Sequence, residues 1–402
     1  FNCHPEQSEG SRDSSLVAQN DRKKNMKIKV LGTGLIKFGE LWDKSLLDLA
    51  QEAATDSIND SRITNNEIGA VFVANMLYGK IANQDHLGAL IASSLGIQGA
   101  SFRIEGACAS GGLAVHLAIQ SLLAGTYKNV LVVGAEKMTD VSISEITSAL
   151  MGAGSEDERK AGLTFPGLYA LMAKAHMQKY GTKKEHMAQV AVKNHFHASK
   201  NPKAQFQFEV SLEKALSSPC ICDPFTLFDA SPITDGAAAV VLSAESTGQG
   251  VFITGSAVTT DTVDLSSRKS LTELAATKEA ATAALKQAGA EIKDIDVAEV
   301  HDCFTIAEIL AMEDLGFCPK GEGGKYISSG VTKLGGKMPV NTSGGLKACG
   351  HPVGATGVKQ IVEITQQLRG QAGQRQVKNA KVGLTQNVGG TGGTVVVHVL
   401  QN

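Results

Sequence analysis

GACASGG, at residues 106–112, is a turn of small residues around one cysteine, and it opens an apolar helix predicted over residues 113–124. A second turn of the same kind, GHPVGATG at residues 350–357, is built around a histidine and opens another helix. Small residues let a substrate carbonyl and backbone N–H groups approach a reactive side chain closely. The two turns therefore predict a nucleophilic thiol, Cys108, and a base, His351, that takes its proton.

Each turn by itself also fits a purely structural role. A lone buried cysteine is most often a small hydrophobic residue, and a glycine-rich turn is often only a tight packing corner. The predicted helix favours reactivity, because the dipole at its N-terminus lowers the pKa of the Cys108 thiol. A third motif, HDCF, directly follows an apolar run at residues 295–300 that is typical of a buried strand. His301 and Cys303 then stand at a C-terminal strand end, where open α/β sheets place their chemistry.

The composition predicts a large globular protein. The 402 residues can bury a large core, and 43% hydrophobic with 19% charged residues is ordinary for a soluble chain. A formal net charge of −2 gives no reason to expect nucleic acid or an anionic membrane surface as a partner. Seven cysteines without framework spacing predict a reducing compartment, so we expect a cytoplasmic protein. No apolar run reaches the roughly 20 residues of a membrane span.

Residues 1–25 are polar and show no periodicity. We interpret them as a disordered N-terminal extension in front of a domain that begins at Met26. They contain no apolar segment like that of a signal peptide, and their acidic residues argue against an organelle transit sequence.

The rest of the chain repeats one plan. Residues 51–71 align without a gap with residues 278–298, and both segments are typical of an amphipathic helix that leads into an apolar strand. Further on, Cys108 corresponds to His351, each with a glycine three residues later. Strands that alternate with helices predict parallel-rich sheets covered by helices. We therefore expect two similar halves that bring the two residues face to face near a pseudo-twofold axis.

We place the two halves at residues 26–250 and 251–402, with a long insertion in the first half at about residues 139–223. Loops of this length in compact domains are often functional. The insertion is rich in methionine and also carries aromatic residues, and we take Phe165 and Met172 as candidate substrate-binding residues. The alternative, an ordinary helical core, stays open.

Three motifs, in order and in rough spacing, resemble signatures of the thiolase family: the cysteine turn, DASPITDGAA at residues 229–238, and the histidine turn. The resemblance covers the chain from about residue 27 to its end. It implies an α/β fold of two similar βαβαβαββ halves, stacked as five αβαβα layers with an inserted loop domain. It also implies acyl transfer between CoA thioesters through an acyl-cysteine. The expected ligands are acetyl-CoA, acetoacetyl-CoA or other 3-ketoacyl-CoA, and CoA, with no metal or other cofactor.

One departure from the common pattern sorts the chain within that family. Most thiolases carry Asn-Glu-Ala-Phe in place of HDCF, and a second cysteine near the C-terminus where this chain has Asn387. HDCF is the form of sterol-carrier-protein-x type thiolases and of archaeal and bacterial acetoacetyl-CoA thiolases. The segment LTFPGLYA at residues 163–170 looks similar to the archaeal branch. By this resemblance Cys303 supplies the acid/base thiol.

The resemblance also implies roles for the remaining site residues. His301 and His351 would polarise the thioester oxygen, the N–H groups of Cys108 and Gly389 would form the oxyanion hole, and Ser231 would contact the pantetheine arm of CoA. A plain turn role for Ser231 is an equal alternative. The family implies a homodimer or homotetramer. The archaeal branch further implies a place in isoprenoid (mevalonate) synthesis and a complex with hydroxymethylglutaryl-CoA synthase through a small OB-fold protein.

Two other functions remain as alternatives. A decarboxylating ketoacyl synthase also uses one cysteine and two histidines, but its first histidine lies in a His-Gly-Thr-Gly-Thr turn, which HDCF is not. A non-catalytic scaffold of the same fold would show erosion of the reactive residues. None is missing here once Cys303 replaces the C-terminal thiol.

Overall fold

The computed structural model describes residues 26–245 and 247–402, so the extension predicted at residues 1–25 lies outside the described residues. The strands are β1 (Ile28–Leu35), β2 (Ala70–Ala74), β3 (Ala100–Ile104), β4 (Asn129–Glu136), β5 (Cys220–Cys222), β6 (Phe225–Thr226), β7 (Gly236–Ser243), β8 (Phe252–Thr260), β9 (Val297–Glu299), β10 (Val382–Gly389) and β11 (Thr394–Gln401). The α-helices are Leu46–Ser61, Tyr78–Ile81, Leu87–Ser94, Ser110–Leu123, Ile143–Leu150, Glu156–Lys160, Phe165–Tyr180, Lys184–Ala198, Leu212–Leu216, Ala275–Ala288, Thr305–Asp314, Gly323–Ser328, Gly345–Cys349 and Val353–Arg369.

A mixed sheet of nine strands runs in the order β3-β2-β4-β7-β1-β8-β11-β10-β9. This order is symmetric about its centre. In each half the first strand (β1 or β8) is central, the last strand (β7 or β11) lies beside it, and β4 or β10 and then β2 or β9 follow outward. The counterpart of β3 in the second half is reduced to a parallel bridge between Ala298 and Val340. The predicted plan of two similar α/β halves is confirmed.

The same contact between helix and strand is built twice. A Cβ atom added to Gly32 on β1 would lie 2.0 Å from the carbonyl O of Ser57. A Cβ atom added to Gly255 on β8 would lie 2.1 Å from the carbonyl O of Ala284. Ser57 and Ala284 occupy equivalent positions in the sequence repeat, so the repeat extends to a close backbone contact of each outer helix.

The two central helices lie between the halves. Ser110–Leu123 and Val353–Arg369 contact each other and strands of both halves, whereas Leu46–Ser61 and Ala275–Ala288 cover the outer faces. The result is the αβαβα stack implied by the sequence. Between β4 and β7 the chain runs through further helices, of which Phe165–Tyr180 contributes to a cavity described below. No helix within the described residues has the length and apolar character needed to cross a membrane.

The small residues of the two turns are needed where the central helices cross. A Cβ atom on Gly357 would lie 2.1 Å from the backbone N of Gly112, and one on Gly111 would lie 2.7 Å from the backbone N of Gly357. Real Cβ atoms do not approach backbone this closely, so the crossing requires glycine. The two turns of small residues that predict the nucleophile and the base therefore also set the distance between the two halves.

Gly357→Ala is expected to destabilise the fold, because the new methyl group would force the central helices apart. Overpacking against backbone of this kind costs about 3 kcal/mol. Urea unfolding followed by circular dichroism measures the loss. Gly39→Ala is the matched control, since a Cβ atom there meets nothing within 4 Å. Equal losses in the two variants would contradict the role given to the crossing.

Candidate active site

A cavity of about 190 Å³ opens at the ends of the central helices, between the two halves and the inserted helices. Apolar side chains form most of its wall. Five of the residues predicted from the sequence line it, together with residues that the sequence did not single out. The lining comprises Cys108, Met138, Thr147, Leu150, Thr164, Phe165, Pro166, Tyr169, Ala230, Ser231, Pro232, Ile233, Cys303, Phe304, His351, Val353 and Gly390.

Cys108 lies in a turn before its helix rather than in the helix itself. The helix begins at Ser110, and Ala107 adopts a left-handed backbone conformation with φ 54°. This conformation is unfavourable for a residue with a side chain, by about 1–2 kcal/mol. The Glu105 carboxylate supports it by accepting the N–H of Ala107 at 2.6 Å. The turn places the Cys108 thiol on the cavity wall.

The structure brings the two turns together. The thiol of Cys108 and ring nitrogens of His301 and His351 all lie within 4.8 Å of one another. The two imidazole rings meet edge to face, with centroids 5.1 Å apart and planes at 85°. Two residues of the second half of the chain therefore face the cysteine of the first half.

The tautomer of His351 follows from its hydrogen bonds. Its Nδ1 lies 2.7 Å from Oγ1 of Thr356, and that hydroxyl donates to the carbonyl O of Pro352 at 3.0 Å. A hydroxyl has one proton, so Nδ1 of His351 is the donor in the first bond. Nε2 then carries a lone pair, and it is buried without a hydrogen-bond partner among the described residues. His351 is set to accept a proton in the cavity.

His301 has the opposite tautomer, and Asn387 determines it. The Asn387 side chain accepts the N–H of Gly112 at 3.0 Å and donates to the carbonyl O of Cys108 at 3.0 Å, which fixes the orientation of the amide. Its NH₂ group also lies 3.2 Å from Nδ1 of His301, which must therefore be the acceptor. The proton of His301 is on Nε2, a buried atom that has no hydrogen-bond partner within residues 26–245 and 247–402. His301 thus carries a donor and His351 an acceptor. Of the two, His351 is among the described residues that line the cavity, and His301 reaches the site through its nitrogen within 4.8 Å of the Cys108 thiol.

Burial favours the neutral form of all three groups. It raises the pKa of the Cys108 thiol to about 12 and lowers the pKa of His351 to about 3. The pKa of His301 is held well below its ordinary value by burial and by the neighbouring His351. The expectation that the helix dipole lowers the pKa of Cys108 is therefore wrong, because loss of water outweighs it. Proton transfer from thiol to imidazole must accompany attack on the substrate.

The rate at which iodoacetamide alkylates Cys108 is expected to rise about tenfold per pH unit between about pH 6 and pH 9. The thiol pKa lies above this range, so the fraction of reactive thiolate grows tenfold with each unit of pH. Peptide mapping would follow Cys108 separately from the exposed Cys220. A constant rate across the range would instead indicate a preformed thiolate–imidazolium pair.

One backbone group near the thiol belongs to Gly390, the neighbour of the predicted Gly389. The N–H groups of Gly390 and of Cys108 itself are the groups that lower the pKa of the Cys108 thiol against the effect of burial. Gly389 is still paired with Thr394 at the end of β10 and does not line the cavity. Gly390 follows the strand with φ 61°, and this left-handed turn brings it to the cavity wall. The oxyanion-hole role of Gly389, which packs against the carbonyl O of Gly106 in the cysteine turn, stays a prediction.

Cys303 reaches the cavity from the end of β9, which spans only part of the strand predicted at residues 295–300. Burial raises the pKa of its thiol, and the phenol of Tyr169, a hydrogen-bond neighbour, partly offsets this. The N–H of Ser231 donates to the carbonyl O of Cys303 at 2.9 Å, so the predicted pantetheine contact lies beside this thiol.

Asp302 links the HDCF segment by hydrogen bonds to the segment that leads into the histidine turn. Its carboxylate accepts the N–H groups of Leu346 at 2.6 Å and Lys347 at 3.2 Å, and the amide of Asn194 at 2.7 Å. A Cβ atom on Gly345 would lie 2.2 Å from the same carboxylate. The aspartate therefore holds the two histidine-bearing segments in register.

The two candidates on the inserted helix differ in position. Phe165 lines the cavity, whereas Met172 is buried in the core with Leu168 and is not part of the cavity wall. Met172 is therefore not placed to contact a substrate in this cavity. Its position fits the alternative interpretation of the insertion, an ordinary helical core. Tyr169, on the same helix, lines the cavity without having been predicted as a site residue.

Two family models match the chain. The one described as Thiolase, N-terminal domain matches residues 29–246, and the one described as Thiolase C-terminal domain-like matches residues 257–402. The chain therefore belongs to the thiolase family, and like other members it is an acyltransferase.

Particular relatives place it more narrowly. The chain is 46% identical over 379 residues to an acetyl-CoA acetyltransferase of Methanothermobacter thermautotrophicus, which covers 92% of this chain and 98% of that protein. It is 36% identical over 393 residues to sterol carrier protein 2 of Homo sapiens, covering 92% and 71%. The resemblance to both HDCF branches is confirmed. The solved structure of the Ltp2-ChsH2(DUF35) aldolase superposes with a TM-score of 0.80 at 23% identity, over 93% of this chain and 98% of that chain, which shows a shared fold.

Proposed function

We propose that the protein condenses two molecules of acetyl-CoA to acetoacetyl-CoA and CoA, and catalyses the reverse thiolytic cleavage of 3-ketoacyl-CoA, through an acyl group on Cys108. The observation that carries the proposal is the pair of opposed tautomers beside this thiol: His351 offers a lone pair and His301 offers an N–H. The identity of 46% to an archaeal acetyl-CoA acetyltransferase supports this choice of substrate.

In the first half-reaction, Nε2 of His351 takes the proton of Cys108 as the sulfur attacks the thioester carbon of acetyl-CoA. The N–H groups of Cys108 and Gly389, with that of Gly390 beside them, then stabilise the oxyanion, a contribution of about 3–4 kcal/mol in comparable sites. The carbon–sulfur bond to CoA breaks, and Cys303 gives its proton to the departing CoA thiolate. The acyl group stays on Cys108, and Cys303 is left as a thiolate.

In the second half-reaction, the Cys303 thiolate removes a proton from the methyl group of another acetyl-CoA. The electron pair moves onto the thioester oxygen, where Nε2–H of His301 donates a hydrogen bond. The carbanion attacks the acyl carbon on Cys108 and forms the carbon–carbon bond. The Cys108 sulfur leaves and recovers its proton from His351, so every group returns to its starting state.

We propose that Phe165 and Ser231 contact the acyl group and the pantetheine arm, because both line the cavity. We propose no resident metal or cofactor. A zinc ion held by Cys108, His301 and His351 would need a lone pair on the inner nitrogen of each histidine. His301 could provide one only by giving up its hydrogen bond with Asn387.

The test is to incubate the protein with labelled acetyl-CoA, locate the acetyl group by peptide mass mapping, and assay condensation and acetoacetyl-CoA thiolysis. Acetyl on the Cys108 peptide and turnover with acetyl-CoA alone are the expected results. Condensation that requires malonyl-CoA would instead indicate a ketoacyl synthase. Absence of both acetylation and turnover would indicate a scaffold.

We propose further that the chain divides into halves at residues 26–250 and 251–402, with the insertion at about 139–223. The limits of the two matched family models, 246 and 257, support the boundary. A homodimer or homotetramer is supported by the edge strand β3, whose residue Phe102 is 41% exposed in this chain. Sedimentation of a stable, fully active monomer would contradict the oligomer.

A cytoplasmic role in isoprenoid synthesis, and a complex with hydroxymethylglutaryl-CoA synthase through an OB-fold protein, rest on the resemblance to the archaeal branch. The match to the protein of Methanothermobacter thermautotrophicus supports this branch. Co-purification of the protein with the candidate partners would test the complex.

A further inference from the structure

Tyr169 is a buried phenol to which the two half-reactions above give no role. It lines the cavity and is 1% exposed. Its ring stacks on Phe304, with centroids 4.7 Å apart and planes at 27°, and Phe304 in turn stacks on Phe225 at 5.5 Å. This stack of three rings leaves the phenol little freedom, so the position of its hydroxyl is fixed by the fold.

The hydroxyl of Tyr169 has one hydrogen bond and one reactive thiol close to it. It donates to the carbonyl O of Gly390 at 3.0 Å. The Cys303 thiol lines the same cavity, and the phenol lowers the pKa of that thiol. A phenol has one proton and can donate to one acceptor at a time. While Cys303 is a thiol, its S–H can donate to the phenol oxygen and the phenol can donate to Gly390. A Cys303 thiolate has no proton and needs a donor.

We propose that Tyr169 is a further catalytic residue. Its O–H rotates about the phenol C–O bond, so that the hydrogen bond passes from the Gly390 carbonyl to the Cys303 sulfur when that thiol gives up its proton. The inference rests on the acid–base role proposed for Cys303. The S–H bond of Cys303 breaks and its proton goes to the departing CoA thiolate, while Tyr169 keeps its own proton throughout. The phenol therefore stabilises the thiolate until that thiolate removes the methyl proton of acetyl-CoA.

The surroundings are consistent with a phenol that donates and does not ionise. Burial is the largest cause that raises the pKa of Tyr169 well above its ordinary value, and the Cys303 and Cys108 thiols add to it. Arg268 is the cation that opposes this, but its guanidinium already donates to the carbonyl O of Thr391. Burial, the Cys108 thiol and the Asp302 carboxyl raise the pKa of the Cys303 thiol, whereas the Tyr169 phenol lowers it.

Gly390 connects this phenol to the nucleophile. Its carbonyl accepts from Tyr169, and its N–H is one of the groups that lower the pKa of the Cys108 thiol. One short turn after β10 therefore contacts the groups around both reactive cysteines.

Tyr169→Phe tests the proposal, because it keeps the stacked ring and removes only the hydroxyl. Acetylation of Cys108 should persist and confirm the fold. Condensation, and exchange of the methyl hydrogens of acetyl-CoA in D₂O, should fall about 10- to 100-fold, the weight of a hydrogen bond to a charged group. The pH at which exchange is half-maximal should rise by about one unit, since the thiolate has lost a donor. Tyr326→Phe, which lies outside the cavity, should leave both readouts unchanged.

Two further variants separate the possible failures. In a Cys303→Ala background, Tyr169→Phe should cause no additional loss of exchange, because the phenol acts through that thiol. 3-Fluorotyrosine at position 169, a stronger donor of similar size, should move the pH profile downward. A wild-type exchange rate and pH profile in Tyr169→Phe, or an added loss in the Cys303→Ala background, would overturn the proposal. Normal exchange in Cys303→Ala alone would overturn the role of Cys303 instead.

Discussion

Cys108→Ala is expected to abolish acyl transfer while the fold remains intact. Removal of a nucleophile that forms a covalent intermediate lowers turnover by a factor on the order of 10⁴–10⁶. The loss should be this large because neither histidine replaces the thiol as nucleophile. Nε2 of His301 carries a proton, and Nε2 of His351 serves as the base that accepts the proton of Cys108. Steady-state assays in both directions, with mass spectrometry of the intact protein after exposure to acetyl-CoA, measure the effect.

Alanine keeps the Cβ atom of Cys108, so the strained turn at Ala107 should be preserved. Cys349→Ala is the matched control, because Cys349 is also buried and also precedes a reactive turn, yet it contacts Asn201 and does not line the cavity. We expect near wild-type turnover in that variant. An acetyl group that moves to another cysteine in an active Cys108→Ala variant would show that the nucleophile is misassigned.

The two turns could be predicted from the sequence because their small residues have one physical cause, the close approach of backbone at the turns. Gly111 and Gly357 must be glycine for the central helices to cross, and a turn of small residues is also what brings a thiol close to a base. The sequence repeat likewise predicts the two halves, since the outer helix in each copy makes the same contact with a strand. These features depend on near neighbours in the sequence and on a repeated pattern.

The protonation states could not be predicted in the same way. The pKa of Cys108 depends on how completely the assembled halves exclude water, and burial reverses the direction expected from the helix dipole. The tautomer of His301 depends on Asn387, which approaches from β10 in the second half. In the sequence, Asn387 is visible only as a departure from the common thiolase pattern. Its function is evident only when its bonds to the Cys108 turn are known.

Gly390 and Met172 illustrate how the exact position of a residue limits prediction of the site from the sequence. An offset of one residue decides whether a glycine pairs within β10 or turns its N–H toward the thiol, and strand ends are the least predictable boundaries in a sequence. Met172 lies on the same helix as Phe165 but is enclosed by the core. Composition predicts that this helix is apolar, and only the packing shows which of its apolar side chains face the cavity.

Cys303→Ala is expected to lose condensation and methyl-hydrogen exchange by a factor on the order of 10²–10⁴, the usual weight of a general acid–base group. Asn387 stands where most thiolases place the second thiol, and an amide does not exchange protons near neutral pH. The acetyl group should still reach Cys108. A CoA thiolate can depart without a proton at moderate cost, because an ordinary thiol pKa of about 8.5 lies near neutrality. A carbon-bound methyl proton has no such route.

The competing assignment gives this proton transfer to His301, and the structure argues against it. Nε2 of His301 already carries a proton, and its Nδ1 accepts from Asn387, so no lone pair faces the substrate. Cys318→Ala is the control, since Cys318 is buried but lies outside the cavity, and its exchange rate should be unchanged. Normal exchange in Cys303→Ala would mean that His301 changes its tautomer when substrate binds. Asn387→Leu, which removes the bond to Nδ1, would then raise that rate.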